Sequence, residues 1–349
     1  MVTSEQVAKL AGVSRATVSR VLNGSTRVSE ETRKRIYAAM AELGYEANIF
    51  ARAFSQERSH VIALALFGSE NDLIFSRLTR TAFDFYLSIL EAIERTLVQQ
   101  VEDYDFFLPA RPYSAVDNQE KNYILDLRAQ RVEGVIALAV QADDPRIQAL
   151  SRSTIPTVFV DSIFEGTYAT YVKSDYQDGA RQATEHLLQL GHRRIAFFPG
   201  DTMALTGTER FLGYQQAMAR AGCSMERSLV RQSGWESREA YQAAMTLLSE
   251  RRDFTAIVAA TDMLAFGILR ALREHGLRVP EDISLIGFDD INLSQDSDPP
   301  LTTIRQDINA IAQGAVSRLL RFIAGEEEVE PLVVPTKLIV RASTGYAPI

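Results

Sequence analysis

The chain holds a single cysteine, Cys223, in 349 residues, so no internal disulfide can form, which fits a reducing compartment. No apolar run approaches the ~20 residues that a membrane span needs. The first residues lack the basic, apolar and small-residue succession of a secretory leader. Motifs of the common nucleotide and hydrolase chemistries are missing: no Gly-x-Gly-x-x-Gly, no phosphate loop ending in Gly-Lys-Ser/Thr, no His-Glu-x-x-His and no Gly-x-Ser-x-Gly. The four histidines, His60, His186, His192 and His275, share no metal-ligand spacing with one another or with Cys223. The expectation is a cytoplasmic protein that is not an enzyme and uses no cofactor and no metal.

What is present is ordinary globular composition, 46% hydrophobic and 23% charged, with length for two or three domains. The net charge of −8 argues against nucleic acid only until it is divided. Residues 1–58 carry nine Lys and Arg against six Asp and Glu, a net of +3, and the remainder carries 28 against 39, a net of −11. A basic head on an acidic body points to a nucleic-acid-binding module joined to something else.

The head reads as three short helices. Thr3 and Gln6 form a capping box for a helix over about residues 4–10, burying Val7 and Leu10. Gly12 permits a tight turn, and Ser14 caps a second helix. On that helix Val18, Val21 and Leu22 share one face, while Ala16, Ser19, Arg20 and Asn23 share the other and Arg15 flanks it. Small and polar residues with arginine suit a recognition helix, since arginine pairs with two acceptors on guanine. A solvated amphipathic helix is the plain alternative. Ser29, followed by Glu30 and Glu31, starts a third helix that buries Ile36, Ala39, Met40 and Leu43 and stops at Gly44. Three helices around one small core make a helix-turn-helix domain.

The stretches Gly12-Val13-Ser14, Thr17 to Gly24, Val28-Ser29 and Leu43-Gly44-Tyr45 resemble the lac-repressor (LacI) family of bacterial transcription regulators. The resemblance places Ser14, Arg15, Ala16, Thr17, Ser19, Arg20 and Asn23 against operator DNA. It makes 47–58 a hinge helix and linker, with Asn48, Ala51, Arg52 and Phe54 at the minor groove. Phe54 stands where the family usually has a leucine wedge, and an apolar wedge can kink DNA. The alternative is a linker helix with Phe54 docked on the body. The family's frequent proline is replaced by Ala47.

Beyond residue 59, apolar runs alternate with amphipathic helices, as in Val61 to Phe67, Val135 to Val140, Pro156 to Val160, Arg194 to Phe198, Leu229 to Gln232, Ala256 to Ala259 and Ile283 to Phe288. Continuous apolar strands separated by helices mean parallel sheets covered on both faces. About ten strands are many for one sheet. The expected class is α/β, with an all-α helix-turn-helix head (1–46) and a body (59–349) of two doubly wound parallel-sheet subdomains.

The resemblance continues through Leu190 to Phe197, Arg278 to Asp290 and Pro299 to Gln306. It makes the body similar to periplasmic sugar-binding proteins, with a first lobe of 59–163 plus 292–323 and a second of 164–291 plus 324–349. It implies an effector cleft at the carboxyl ends of the strands. Carried over by position, Arg210, Trp235 and Asp289 would bind ligand, with Gln306, Asp262 and Asp175 behind them. Tyr86 and Asp84, with Phe83, lie near the cleft mouth, where the segment from Gly68 is longer than usual for the family. Alternatives stand for three of these: Arg210 as a solvated helix charge, Trp235 as plain core, Asp262 as a helix start. The functional expectation is a repressor of near-palindromic operator DNA under allosteric control by a small effector, a sugar or sugar derivative. The ending Ser343 to Ile349 has no heptad helix of the kind that makes tetramers, which favours a homodimer. The competing expectation is a solute-binding protein for sugar transport, which the basic head opposes; an enzyme acting on sugars is a further one.

Overall fold

The computed structural model describes residues 3–22, 28–43, 59–66, 84–100, 104–107, 119–138, 144–202 and 204–348. The chain divides into two compact units, Met1–His60 and Val61–Ile349.

In the first unit, α1 (Ser4–Ala11) opens on the expected capping box: Gln6 N donates to Thr3 Oγ1 at 3.4 Å and Thr3 N donates to Gln6 Oε1 at 2.8 Å. It ends where Gly12 takes φ 66°, a left-handed turn open to glycine without strain. The second helix, α2 (Arg15–Leu22), starts as Thr17 N donates to Ser14 Oγ at 3.1 Å. The third, α3 (Glu30–Leu43), starts as Thr32 N donates to Ser29 Oγ at 3.4 Å. Val7, Ala8, Ala11, Val18, Val21, Ile36 and Ala39 form the core. Leu10 is 45% exposed, contrary to its expected burial. A buried stripe centred on Val7, Ala8 and Ala11 leaves Leu10 about 100° round the helix. Gly44 and the hinge segment 47–58 lie outside the described residues.

The second unit holds two sheets. The first takes the order β10-β5-β4-β3-β1-β2, from Val61–Leu66 (β1), Asp105–Phe107 (β2), Gly134–Leu138 (β3), Thr157–Val160 (β4), Ala169–Ser174 (β5) and Leu332–Val334 (β10). The second takes the order β11-β9-β8-β7-β6, from Ile195–Phe198 (β6), Ala256–Ala259 (β7), Ser284–Asp289 (β8), Thr302–Gln306 (β9) and Thr336–Ile339 (β11). Every pairing is parallel except β11 on β9. Strands β3, β4, β6 and β7 are buried at every position, as sheets covered on both faces require. On the first sheet the packing helices are α4 (Asp84–Gln100), α5 (Gln119–Ala129), α6 (Pro145–Ser151) and α12 (Ile308–Ile323). On the second they are α7 (Tyr176–Gln189), α8 (Leu205–Arg220), α9 (Ser237–Glu250) and α10 (Asp262–Glu274), with the short α11 (Leu293–Asp296) before β9.

The chain crosses between the sheets three times, at Asp175, Asp307 and Pro335, which corrects the expected lobe limits. β5 belongs to the first sheet, so that lobe runs past 163. β9 lies beside β8, pairing Ile286 with Thr302 and Asp289 with Arg305, so the second lobe runs past 291. β10 returns to the first sheet beside β5. The expected strand over 229–232 is a 3-10 turn, Arg227–Leu229, followed by one bridge from Val230 to Phe197. Leu229 turns inward to the core there, which ends the ladder after a single rung. No described helix is long and apolar enough to cross a membrane.

Candidate functional site

Two places collect the residues singled out by sequence. The first is α2. Burial of Val18 and Val21 turns Arg15, Ala16, Ser19 and Arg20 outward. Thr17 is half-buried, its hydroxyl 2.8 Å from Ser14 Oγ, so the cap fixes the start of the helix. Asn23, Asn48, Ala51, Arg52 and Phe54 lie outside the described residues.

The second is the junction between the two sheets of the body. β8 ends at Asp289, held at φ 113°, and β9 ends at Gln306. Arg210 projects from α8, only 4% exposed. Its Nη2 is 3.3 Å from Asp289 Oδ1, which also accepts from Gln306 Nε2 at 2.7 Å. The guanidinium carbon lies 4.2 Å from the ring centre of Phe288, 4.7 Å from Tyr176 and 5.9 Å from Trp235. Trp235 is half-buried and fits only because residue 200 is glycine: a Cβ there would come within 2.5 Å of the indole.

The first sheet answers from the other side. Asp161 follows β4 and accepts a hydrogen bond from the Tyr176 hydroxyl of α7. Lys173 of β5 donates to both Glu209 oxygens of α8, at 2.7 and 2.6 Å. Both contacts run from one lobe to the other. Tyr86 on α4 packs edge-on to Phe85 at 5.6 Å. Burial holds its phenol above the usual range, Asp161 and Asp289 add to that and Arg210 opposes it, so Tyr86 shares the field of this cluster.

Burial sets the acids. It pushes the Asp289 carboxyl up to about 8, with Asp262 and Asp161 adding like charge and Arg210 opposing. Burial raises Asp161 to about 6 against the Tyr176 hydrogen bond, Arg210 and Lys173. Three buried polar atoms here, Asp161 Oδ2, Gln306 Oε1 and Arg210 Nε, have no hydrogen-bond partner among the described residues. Such atoms are costly unless something pairs with them. Two acceptors and one donor are the complement of sugar hydroxyls, and aromatic faces suit the C–H side of a ring.

The structure thus gathers Arg210, Asp289, Gln306 and Trp235, with Tyr86 in electrostatic reach. Two candidates are engaged elsewhere. Asp262 accepts from Thr303 Oγ1 at 2.5 Å, Ser294 Oγ at 2.6 Å and Ile291 N at 3.0 Å, a set that ties α10 to β9 and to the segment before it. Asp262 is the first residue of α10, as the helix-start alternative has it, and the capping side chain is that of Thr261. Asp175 caps α7, accepting from Asp178 N at 2.9 Å. Asp84 opens α4, and its side chain is outside the described residues, as is Phe83. Sequence reasoning missed Asp161, Lys173, Tyr176, Glu209 and Phe288. Asp161 had a signal: like Asp289, it stands at the carboxyl end of an apolar strand. Among the described residues no group of His, Cys, Asp and Glu is placed to hold a metal ion.

Residues 4–48 match the bacterial regulatory proteins of the lacI family, and residues 184–344 match a periplasmic binding protein-like domain. The HTH-type transcriptional regulator CelR of Thermobifida fusca is 34% identical over 345 residues, 98% of this chain and 98% of its own. A solved transcriptional regulator CelR–cellobiose complex superposes with a TM-score of 0.72 at 34% identity, covering 98% of this chain and 100% of that one. A lac repressor dimer bound to operator and the anti-inducer ONPF gives a TM-score of 0.82 at 32% identity, covering 99% of each chain.

Proposed function

The chain belongs to the lacI family of bacterial regulatory proteins, and on that premise we propose that it is a sequence-specific transcriptional repressor whose grip on operator DNA is set by a sugar bound between its two lobes. It works as a cytoplasmic homodimer on a near-palindromic operator and catalyses no reaction. The similar CelR, solved with cellobiose, makes a β-linked glucose disaccharide the first ligand to try.

On this reading α2 lies in the major groove, with Arg15 and Arg20 at guanine edges and Ala16 allowing close approach. The hinge segment carries Phe54 into the minor groove as a wedge. Ligand controls the head only through a difference in its affinity for the two states of the body. The observation that carries the ligand half is the set Arg210, Asp289 and Gln306, walled by Tyr176, Phe288 and Trp235 at the carboxyl ends of strands.

The test is fluorescence anisotropy of the full chain on DNA selected from a random pool, with and without candidate sugars. Arg20→Ala is expected to cost about 1–3 kcal/mol of operator affinity and to flatten preference at one base pair. Equal binding to selected and random DNA at moderate salt would reject the repressor reading.

A further inference from the structure

Both cations at the lobe junction are already engaged within the protein. Lys173, 7% exposed, is the cation a phosphate or carboxylate would seek, and both of its bonds go to Glu209 across the lobes. The guanidinium of Arg210 faces Asp289 through Nη2. Asp161 and Asp262 form no ion pair among the described residues, and Asp161 shares the field of Arg210 and Lys173. Two bases therefore meet four acids. The buried atoms left over are Asp161 Oδ2 and Gln306 Oε1, each able to accept, and Arg210 Nε, able to donate to one oxygen.

We propose that the cross-lobe pair Lys173–Glu209 is a specificity determinant that makes this site take uncharged, hydroxyl-rich ligands and refuse their phosphorylated or acidic counterparts. The proposal rests on the lobe junction being the ligand site. A neutral sugar offers O–H donors to Asp161 and Gln306 and an oxygen to Arg210. An anion brings like charge beside Glu209 and the buried Asp161, and finds the nearest ammonium occupied. Without the Glu209 charge, Lys173 is released to face that anion. The two residues lie 36 apart in sequence and on different lobes, so the pair exists only in the folded body.

The experiment is isothermal titration calorimetry on the full chain with matched pairs: glucose and glucose 6-phosphate, cellobiose and cellobionate, guanosine and its monophosphate. In the unaltered protein the neutral member of any pair that binds is expected to bind at least tenfold more tightly. In Glu209→Gln the ratio of anionic to neutral Kd should fall at least tenfold, and in Glu209→Gln with Lys173→Met that gain should vanish. The exchange Lys173→Glu with Glu209→Lys keeps the pair and should keep the preference, which secures the result if the single variant melts. A tighter anionic member in the unaltered protein, or an unmoved ratio in a folded Glu209→Gln, overturns the proposal. Neutral preference in the guanosine pair with every sugar silent upholds charge selection and rejects only the sugar. Silence of all six compounds at millimolar concentration overturns charge selection at this junction, while operator binding still reports on the head.

Discussion

In the head, Arg15 and Arg20 stand in solvent on a helix whose inner side is Val18 and Val21; in the body, Arg210 and Lys173 are enclosed with Asp289 and Glu209. Among the described residues of the head seven are buried, and all are apolar. The body buries Asp161, Lys173, Arg210, Asp262 and Asp289 among its strand ends. The same residue type therefore does two kinds of work. A solvated arginine keeps its charge available to phosphate and exchanges counterions, so binding through it weakens with salt. An enclosed arginine has lost its water and is held by a carboxylate, and it acts as a fixed donor rather than a free charge. Making such a pair costs much of what it returns, whereas breaking it leaves a lone buried charge.

The sharpest test of this contrast is to remove one arginine from each side. Arg210→Ala should destabilise the body by about 3–5 kcal/mol, because the guanidinium's packing on Phe288 and Tyr176 and its contact with Asp289 are lost and a cavity is left among the strand ends. Its melting temperature should fall on the order of 10 °C by differential scanning calorimetry. The Arg20→Ala substitution already described should leave melting unchanged. Comparable losses from the two would break the contrast. Next in size is Ile36→Ala, which opens the head core and should cost ~2–5 kcal/mol. Calorimetry should show a head transition shifted or lost with the body transition in place, and anisotropy should show weakened operator binding.

The smallest effect is the pH dependence carried by a single one of the buried acids between pH 6 and 8. Asp161, Asp262 and Asp289 titrate at about 6, about 7 and about 8 in the folded body, against 3.8 for an ordinary aspartate. Over that interval the folded chain retains protons the unfolded chain has released, so stability declines as pH rises from about 4 to about 8 and levels off above. Asp289→Asn keeps an acceptor for Gln306 and Arg210 and should flatten the upper part of this decline, a difference of a few degrees in melting between pH 6 and 8. An unaltered slope would place the effect elsewhere.

Local chemistry was the legible part of the sequence. Thr3 with Gln6, Gly12, Ser14 and Ser29 each act within three or four residues, and each does in the structure what its position announced. Apolar runs such as Gly134–Leu138 and Ala256–Ala259 announced buried parallel strands for the same reason. Arg210, Asp289 and Gln306 were reached by family position, and the hydrogen bonds that join them needed the folded sheet. Less legible was whatever depends on which sheet a strand joins. β5 reads Ala-Thr-Tyr-Val-Lys-Ser, with no apolar run, yet it is interior because β4 and β10 flank it. Its Lys173 looks solvated in sequence and is buried because Glu209 comes to it from the other lobe. Asp262 is the opposite case: a polar residue near the expected cleft, with a helix start as its alternative, whose oxygens are taken by Thr303, Ser294 and a backbone amide.

The three crossings at Asp175, Asp307 and Pro335 have a mechanical consequence. Two of them are helix caps, so their neighbours downstream are held by helical hydrogen bonds, and any twist must be taken up in a few backbone angles beside the caps. Three tethers side by side suppress translation of one lobe past the other and leave rotation about their common line as the soft coordinate. A protease nick at any one of them would leave two connections intact, and the halves would stay together until the whole body melted.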